Sequence, residues 1–325
     1  MGQTAIIGGG LSGLACAQTL VTHGHDVVVF DRGRGVGGRM ATRGSSTDAS
    51  LPFDHGAPFF EVGDTTFRDI VASWVDAGFC APWRPTWGRV SGQDIVERQA
   101  RSVYVGMPSM REICHQLSSG CDIRPGAVVV GLERSASGWA LGLEDGSTSD
   151  VFDAVVFAAA ARQTERVLGE RFPEITSALG RITMAPHWVC MAASDAPPRS
   201  MPDVIETPED AVLQLIVRDD AKPGRAEGAR WVAHASQEWS GARLEVSREE
   251  MAIELGVALR RCLALDGAWS HCRAHRWSLA RVVQPIDAPY VLEERLGVCG
   301  DGFGGSGVEA AYLSGRSMAM QLLSM

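Results

Sequence analysis

Lysine is almost missing from this chain: Lys222 is the single lysine among 30 Lys plus Arg residues. The remaining cations are guanidinium groups, which meet carboxylates and phosphates through a planar fork rather than as point charges. Positive charge is in deficit too. Thirty Lys plus Arg stand against 39 Asp plus Glu, and the net charge of −9 repels a nucleic-acid backbone. The eight cysteines, at 16, 80, 114, 121, 190, 262, 272 and 299, contain no C-x-x-C pair, so neither a zinc site nor a disulfide framework is indicated. They are expected to be free thiols serving as small hydrophobes. No stretch reaches the roughly 18 to 20 uninterrupted apolar residues of a membrane span, and no G-x-S-x-G elbow argues for a nucleophilic serine. The first glycine motif begins at Gly8, which leaves no room for a signal peptide, so a cytoplasmic location is the expectation.

What is present is glycine, 37 residues of it, in a chain of 325 that exceeds what one hydrophobic core usually serves. Thr4–Ile7 reads as a short strand, Leu11, Leu14, Ala15 and Val21 recur at helical spacing until Gly24, and Asp26–Phe30 is a second β-branched strand. Helices are expected over Thr65–Ala77, Ser109–Leu117, Arg248–Leu263 and Val308–Leu323. Strands are expected at Val103–Val105, Ala127–Val130 (buried on both faces), Trp139–Leu143, Asp153–Ala159, Ala211–Val217, Arg230–Ala235 and Leu296–Gly300, with a Pro-rich break at Ala196–Pro202. Strands alternating with helices at both ends, around a mixed middle, predict an α/β protein: a Rossmann-like nucleotide domain with an inserted mixed α+β substrate domain.

Gly8, Gly10 and Gly13 form G-x-G-x-x-G where the first strand meets the first helix. Such glycines permit a tight turn, close approach to a pyrophosphate, and packing of helix on strand, while the helix start at Leu11 and Ser12 offers free N–H groups to phosphate. Asp31, 23 positions after Gly8, is placed to accept hydrogen bonds from an adenosine ribose. This unit alone leaves FAD and NAD both open.

A second cluster follows: Arg32, Arg34, Gly35, Val36, Gly37, Gly38, Arg39 and Met40. It resembles the G-G-R segment of the flavin amine oxidase superfamily, where the glycines run along the FAD pyrophosphate and the arginine backs it. The resemblance implies that role for Arg39, and adenine contact for Val128. A third cluster, Gly300-Asp301 with Gly302, Gly304, Gly305 and Gly307 before Val308 and Glu309, is similar to the segment that holds the ribityl and pyrophosphate region in FAD oxidases. There the following helix points at the flavin ring. By this resemblance the cofactor is FAD, with the nucleotide domain spanning 1–60, 101–165 and 270–325 and the substrate domain 61–100 and 166–269.

At finer grain the chain resembles renalase, in its bacterial forms. The blocks that carry this are Phe30–Met40, Asp54-His55-Gly56-Ala57-Pro58-Phe59-Phe60, Tyr104–Pro108, Trp231–Ser236 with Trp239-Ser240, His275-Arg276-Trp277, and Gly307–Glu309 through Ser314-Gly315. The resemblance implies oxidation of misreduced 2- or 6-dihydro-NAD(P) to NAD(P)+, with hydride passed to flavin N5 and O2 taken to H2O2. Two rivals stay open: a flavin amine oxidase or desaturase acting on a small organic molecule, and a flavin-binding sensor or assembly protein without turnover. Lys222, in a polar turn, reads as a solvated surface residue, which weakens an amine oxidase that uses a lysine near flavin N5.

For the substrate site, His275 and Trp277 alternate on a strand and share a face, either toward the flavin or into an ordinary core. Phe59 and Phe60 could wall the ring pocket or simply pack. His234 reads more readily as a satisfied core histidine. Among Arg84, Arg89, Arg98 and Arg101, some could meet a substrate pyrophosphate and others face solvent. No metal site is expected.

Overall fold

The computed structural model describes residues 2–44, 52–92, 94–195, 201–208 and 211–325. The β-branched runs that open the chain pair as parallel strands. β1 (Gln3–Ile7) lies between β2 (Asp26–Asp31) and the strand Ala154–Phe157, with Ile7 opposite Phe30 on one side and Phe157 on the other. Leu296–Val298 adds parallel to Ala154–Phe157, Asp122–Pro125 adds parallel to β2, and Val291–Glu293 closes one edge antiparallel. All the parallel strands therefore end on one side of the sheet, where α/β folds bind ligands.

Side-chain alternation separates the two faces of this sheet. Ile6, Val27, Val29 and Val156 pack against α1 (Leu11–Thr22) and the closing helix Val308–Leu323 through Cys16, Leu20, Met318 and Leu322. Ala5, Val28, Phe30, Val155 and Phe157 face the hairpin Val129–Arg134/Trp139–Leu143 and the helix Pro173–Gly180. The closing helix comes against α1 at Gly315, where a Cβ would lie 2.0 Å from the Ser12 carbonyl oxygen.

A second sheet of seven strands runs in the order 271–284, 183–193, 230–235, 213–218, 204–206, 87–91 and 94–98. Trp188, Cys190, Ala192, Trp231, Ala233 and Ala274 point to one face, and Met251, Leu255, Leu259 and Leu263 of the helix Arg248–Leu263 cover it. The opposite face carries His187, Val189, Val232, His234, His275 and Trp277. It is turned toward the first sheet.

Two expectations are corrected here. The strand expected at Ala127–Val130 runs from Val129 to Arg134 instead, and Val130 is 51% exposed, because only one face of this hairpin rests on the parallel sheet. Residues from 270 on were expected in the nucleotide domain, yet His271–Gln284 pairs along Thr183–Ala193 and so belongs to the second sheet. The Pro-rich break at 196–202 lies mostly outside the described residues.

Gly315→Ala is expected to cost about 1–3 kcal/mol, because backbone rather than a flexible side chain would have to move. Urea denaturation checks this: a midpoint equal to the wild type's would show slack between the two helices.

Candidate functional site

A single cavity of about 1700 Å3 extends from the carboxyl edge of the parallel sheet to the histidine face of the second sheet. At its floor Gly8 ends β1 and Gly10 caps α1; Gly8, Gly10, Leu11 and Ser12 all line the cavity. A Cβ on Gly10 would meet nothing nearer than the Gly38 Cα at 3.9 Å, so the backbone there is bare toward the open space. Gly13 does not form part of the wall. It lets the helix sit on the strand, since a Cβ would come 2.0 Å from the Gly8 carbonyl oxygen.

Asp31 ends β2 with both carboxylate oxygens accepting backbone N–H groups, from Gly9 at 2.6 Å and from Gly33 at 2.6 Å. Each oxygen keeps a second lone pair. Arg32, Gly38, Arg39, Met40 and Val128 line the same space, as do Gly300, Asp301, Gly307 and Val308 from the C-terminal segment. Three helix N-termini open into it, those beginning at Leu11, Ala161 and Val308. Their first-turn N–H groups have no intrahelical partner, and their dipoles favour an anion.

Arg39 and Asp301 were each expected to face the ligand separately. The structure joins them, with Arg39 donating from its two terminal nitrogens to Asp301 at 2.7 and 2.5 Å and from one of them to the Ala280 carbonyl at 3.2 Å. The pair ties the second glycine segment to the third across the cavity.

Several expected site residues stand elsewhere. Arg34 is exposed and outside the cavity wall. Glu309 turns away to accept the N–H groups of Gly63 at 2.7 Å and Asp64 at 3.0 Å. Phe59 packs edge-on to Trp83 and Trp87, while Phe60 stacks on Tyr104 beside Phe67, so both belong to the core under the 80–106 strands rather than to the cavity. Among the four arginines before Tyr104 only Arg89 lines the cavity; Arg101 covers Trp87 and pairs with Glu206 at 2.5 Å.

Lys222 is the largest correction. It is buried, with its ammonium 3.0 Å from Asp54 and 2.5 Å from Asp219, and Arg225 reaches Asp54 at 2.6 Å. Asp54 accepts from Thr42 as well, and the Asp54 N–H donates to Asp219. Two acids and two bases thus cancel. Burial alone would raise the Asp54 carboxyl, but Lys222 and Arg225 outweigh it and hold it well below the usual carboxylate range. Burial and the Asp54 charge push Asp219 up. The ammonium is consumed by this knot and does not line the cavity.

The cavity's far wall is aromatic. His55, His187, His234, His275 and Trp277 all line it, and sequence reasoning had singled out neither His55 nor His187. The register explains the grouping: Val189 pairs with His234 on one side and His275 on the other, and His187 pairs with Trp277. The ring of His55, next to Asp54, stacks 5.3 Å from Trp277 and lies 4.8 Å from His275, and the indole N–H donates to the His55 carbonyl at 2.9 Å. His187 and His234 are 5.4 Å apart. One nitrogen on each ring is buried with no protein partner, so His234 is not the satisfied core histidine that was expected. Burial pushes His55 and His187 down to about 4 and His275 to about 3, and it holds His234 well below its ordinary value. The wall is neutral at ordinary pH.

Together these features define a Rossmann-like dinucleotide-binding α/β protein with a second, mainly antiparallel sheet closing over the site. A family model for an NAD(P)-binding Rossmann-like domain matches residues 6–74. Solved structures share the whole fold. A protein from Exiguobacterium sp. 255-15, provisionally assigned as a protoporphyrinogen oxidase, aligns with a TM-score of 0.77 at 10% identity over 100% of this chain and 99% of its own. Wild-type putrescine oxidase bound to putrescine aligns at 0.71 and 13% over 100% and 99%. An oxidoreductase from Methanosarcina mazei aligns at 0.70 and 14% over 99% and 100%. At such identities the likeness concerns the fold. Among the described residues no cluster fit to hold a metal occurs, and no helix is long and apolar enough to cross a membrane.

The neutral histidines give stability a sign with pH. Between about pH 6.5 and 4 the unfolded chain binds protons that the folded His55 and His187 refuse. Stability present above that window is therefore expected to fall as pH falls through it, by up to about 1.4 kcal/mol per pH unit for each histidine. Urea titrations across the window check this, and His187→Phe should flatten the slope; a wild-type slope retained in that variant would mean that His187 titrates alike folded and unfolded.

Proposed function

We propose that this chain is an FAD-dependent oxidoreductase that takes hydride from a misreduced dihydronicotinamide dinucleotide, a 2- or 6-dihydro isomer of NAD(P), and so restores NAD(P)+. The residues present fit the cofactor. Gly10 leaves open backbone where a pyrophosphate approaches, two helix N-termini flank it, and Asp31 keeps free lone pairs for ribose hydroxyls. Val128, on the cavity wall, would border the adenine, and the helix that Gly307 and Val308 begin would point at the ring. When bound, the flavin would supply the hydride acceptor, at N5, and O2 with one proton from solvent would return it to its oxidised form as H2O2 is released.

The observation that carries the substrate reading is the cavity itself. It is well above the roughly 300–1000 Å3 of ordinary small-ligand pockets, and nine arginines line it against three acids, Asp31, Glu206 and Asp301. One FAD pyrophosphate does not use so much positive charge. Arg89 and Arg281, on strands of the second sheet, and Arg248, on its covering helix, are left for a second anionic ligand. Such a substrate would place its ring against the aromatic wall.

In this reading Trp277, held by its hydrogen bond to the His55 carbonyl, and His275 position the dihydropyridine ring and exclude water. Their neutrality suits the chemistry. The ring becomes a cation as hydride leaves, and no protonated imidazole stands beside it to oppose that change.

Anaerobic addition of 6-dihydro-NAD(P) to the flavin-loaded protein is expected to bleach the flavin rapidly, followed by recovery and peroxide on admitting O2; bleaching by amines alone would point to amine oxidation instead. Gly10→Val should yield folded protein that emerges colourless, since the new side chain would project into the cavity rather than into protein. Wild-type flavin content in that variant would remove the cradle assignment. His275→Ala should keep the yellow colour and slow the anaerobic bleaching.

A further inference from the structure

The second glycine segment is braced by a side chain from a different part of the chain. Arg111, on the helix Met110–Leu117, lies along it: Nε donates to the Val36 carbonyl at 2.8 Å, a Cβ on Gly37 would come 3.1 Å from the Arg111 Cγ, and a Cβ on Gly35 would collide with Nη2. Gly35 and Gly37 are therefore bare for this side chain. Gly38 is bare for another reason, since a Cβ there would come 3.1 Å from the Gly10 Cα. The helix is itself anchored, with the Met110 N–H donating to the Asp54 carboxylate at 3.1 Å and the Cys114 thiol donating to the Gly37 carbonyl.

Arg111 brings a charge that the protein does not take up. Among the described residues no acid pairs with it, and its two terminal nitrogens have no protein partner. Neither is sealed in the interior, and the residue lines the cavity beside Gly35, Gly37 and Gly38. Arg39, the arginine expected to back the pyrophosphate, has its charge met by Asp301. A dinucleotide pyrophosphate is a dianion, against which the helix beginning at Leu11 sets only about half a positive charge. The Gly37 N–H donates to the Gly9 carbonyl at 2.9 Å, so the segment under Arg111 is bonded to the glycine turn where that dianion approaches. With Nε fixed on Val36, the guanidinium presents its terminal nitrogens as a planar fork, the shape that meets phosphate oxygens in pairs.

We propose that Arg111 is a cofactor-binding residue whose terminal nitrogens hold the FAD pyrophosphate, the part that Arg39 gives up by pairing with Asp301. This rests on the flavin reading above and adds to it a residue that lies in none of the glycine motifs. Gly35 acquires an indirect part, because it clears the space in which the guanidinium lies.

The test follows the FAD retained by the purified full-length protein on ultrafiltration at rising salt concentration. Arg111→Met keeps an unbranched apolar stem over Gly37 and removes the charge. It should weaken FAD binding about tenfold to a hundredfold, the range for a hydrogen bond to a charged group, and flatten the salt dependence of retention. Arg111→Lys should keep that salt dependence. Gly35→Ala presses only on the flexible end of Arg111, so it should weaken FAD in the otherwise native protein and do nothing further when combined with Arg111→Met. Should Arg111→Met fail to fold, Gly35→Ala decides alone. A guanidinium that merely braces the segment would, on removal, weaken FAD equally at every salt concentration. That result, or native retention in Arg111→Met or in Gly35→Ala, overturns the inference and leaves the flavin reading standing. A native protein that takes up no FAD at any salt concentration removes both.

Discussion

The parallel registry of four strands is the constraint from which the site follows. Ile7, Phe30, Phe157 and Val298 stand in line across the sheet, so whatever the chain does next after each strand happens at one edge. Four segments that are remote in sequence are thereby delivered together: the glycine turn, Asp31, the helix beginning at Ala161, and the Gly300–Asp301 turn. The Arg39–Asp301 pair then fixes the gap between the second and third of the glycine segments, by charge-assisted bonds in the bidentate geometry that guanidinium favours.

A second constraint places the far wall. The Asp54–Lys222–Asp219–Arg225 knot joins the turn that carries His55 to the loop after Arg218, which belongs to the second sheet. Removing one partner of such a knot leaves an uncompensated buried charge, at a cost of about 3–5 kcal/mol. Two acids against two bases make it internally neutral, so the two sheets are joined next to the cavity without adding net charge to it. His55 follows Asp54 directly, and its stacking on Trp277 depends on where the knot holds the chain.

The nucleotide half of this arrangement was legible because it is local. A strand, three glycines, a helix and an acid within the first 31 residues carry their geometry in their spacing, and the helices Arg248–Leu263 and Val308–Leu323 run where the apolar period puts them. The histidine wall was not legible, for a physical reason. Val189, His234 and His275 are neighbours only through cross-strand registry, and the strands Thr183–Ala193 and His271–Gln284 mix polar residues into their alternation because one face meets a cavity rather than a core. A lone Lys222 between two aspartates reads as a surface turn for a similar reason: its partner Asp54 lies 168 residues away. Phe59 and Phe60 show the converse, since adjacent aromatics look like a pocket wall until the strands that bury them are known.

The cavity divides its electrostatics in a way that bears on what can react there. Its guanidinium groups and helix N-termini are suited to phosphate, whereas the rings of the aromatic end are themselves uncharged. A substrate with phosphates at one end and a neutral ring at the other fits that division without burying an unpaired charge, which would be the costliest mistake such a site could make. An amine substrate meets the opposite situation. It arrives as an ammonium and would need a carboxylate to receive it, but the acids of the cavity are engaged, Asp31 by backbone N–H groups, Asp301 by Arg39 and Glu206 by Arg101. Hydride transfer from a neutral ring, with charge appearing only as the hydride leaves, asks nothing of those acids.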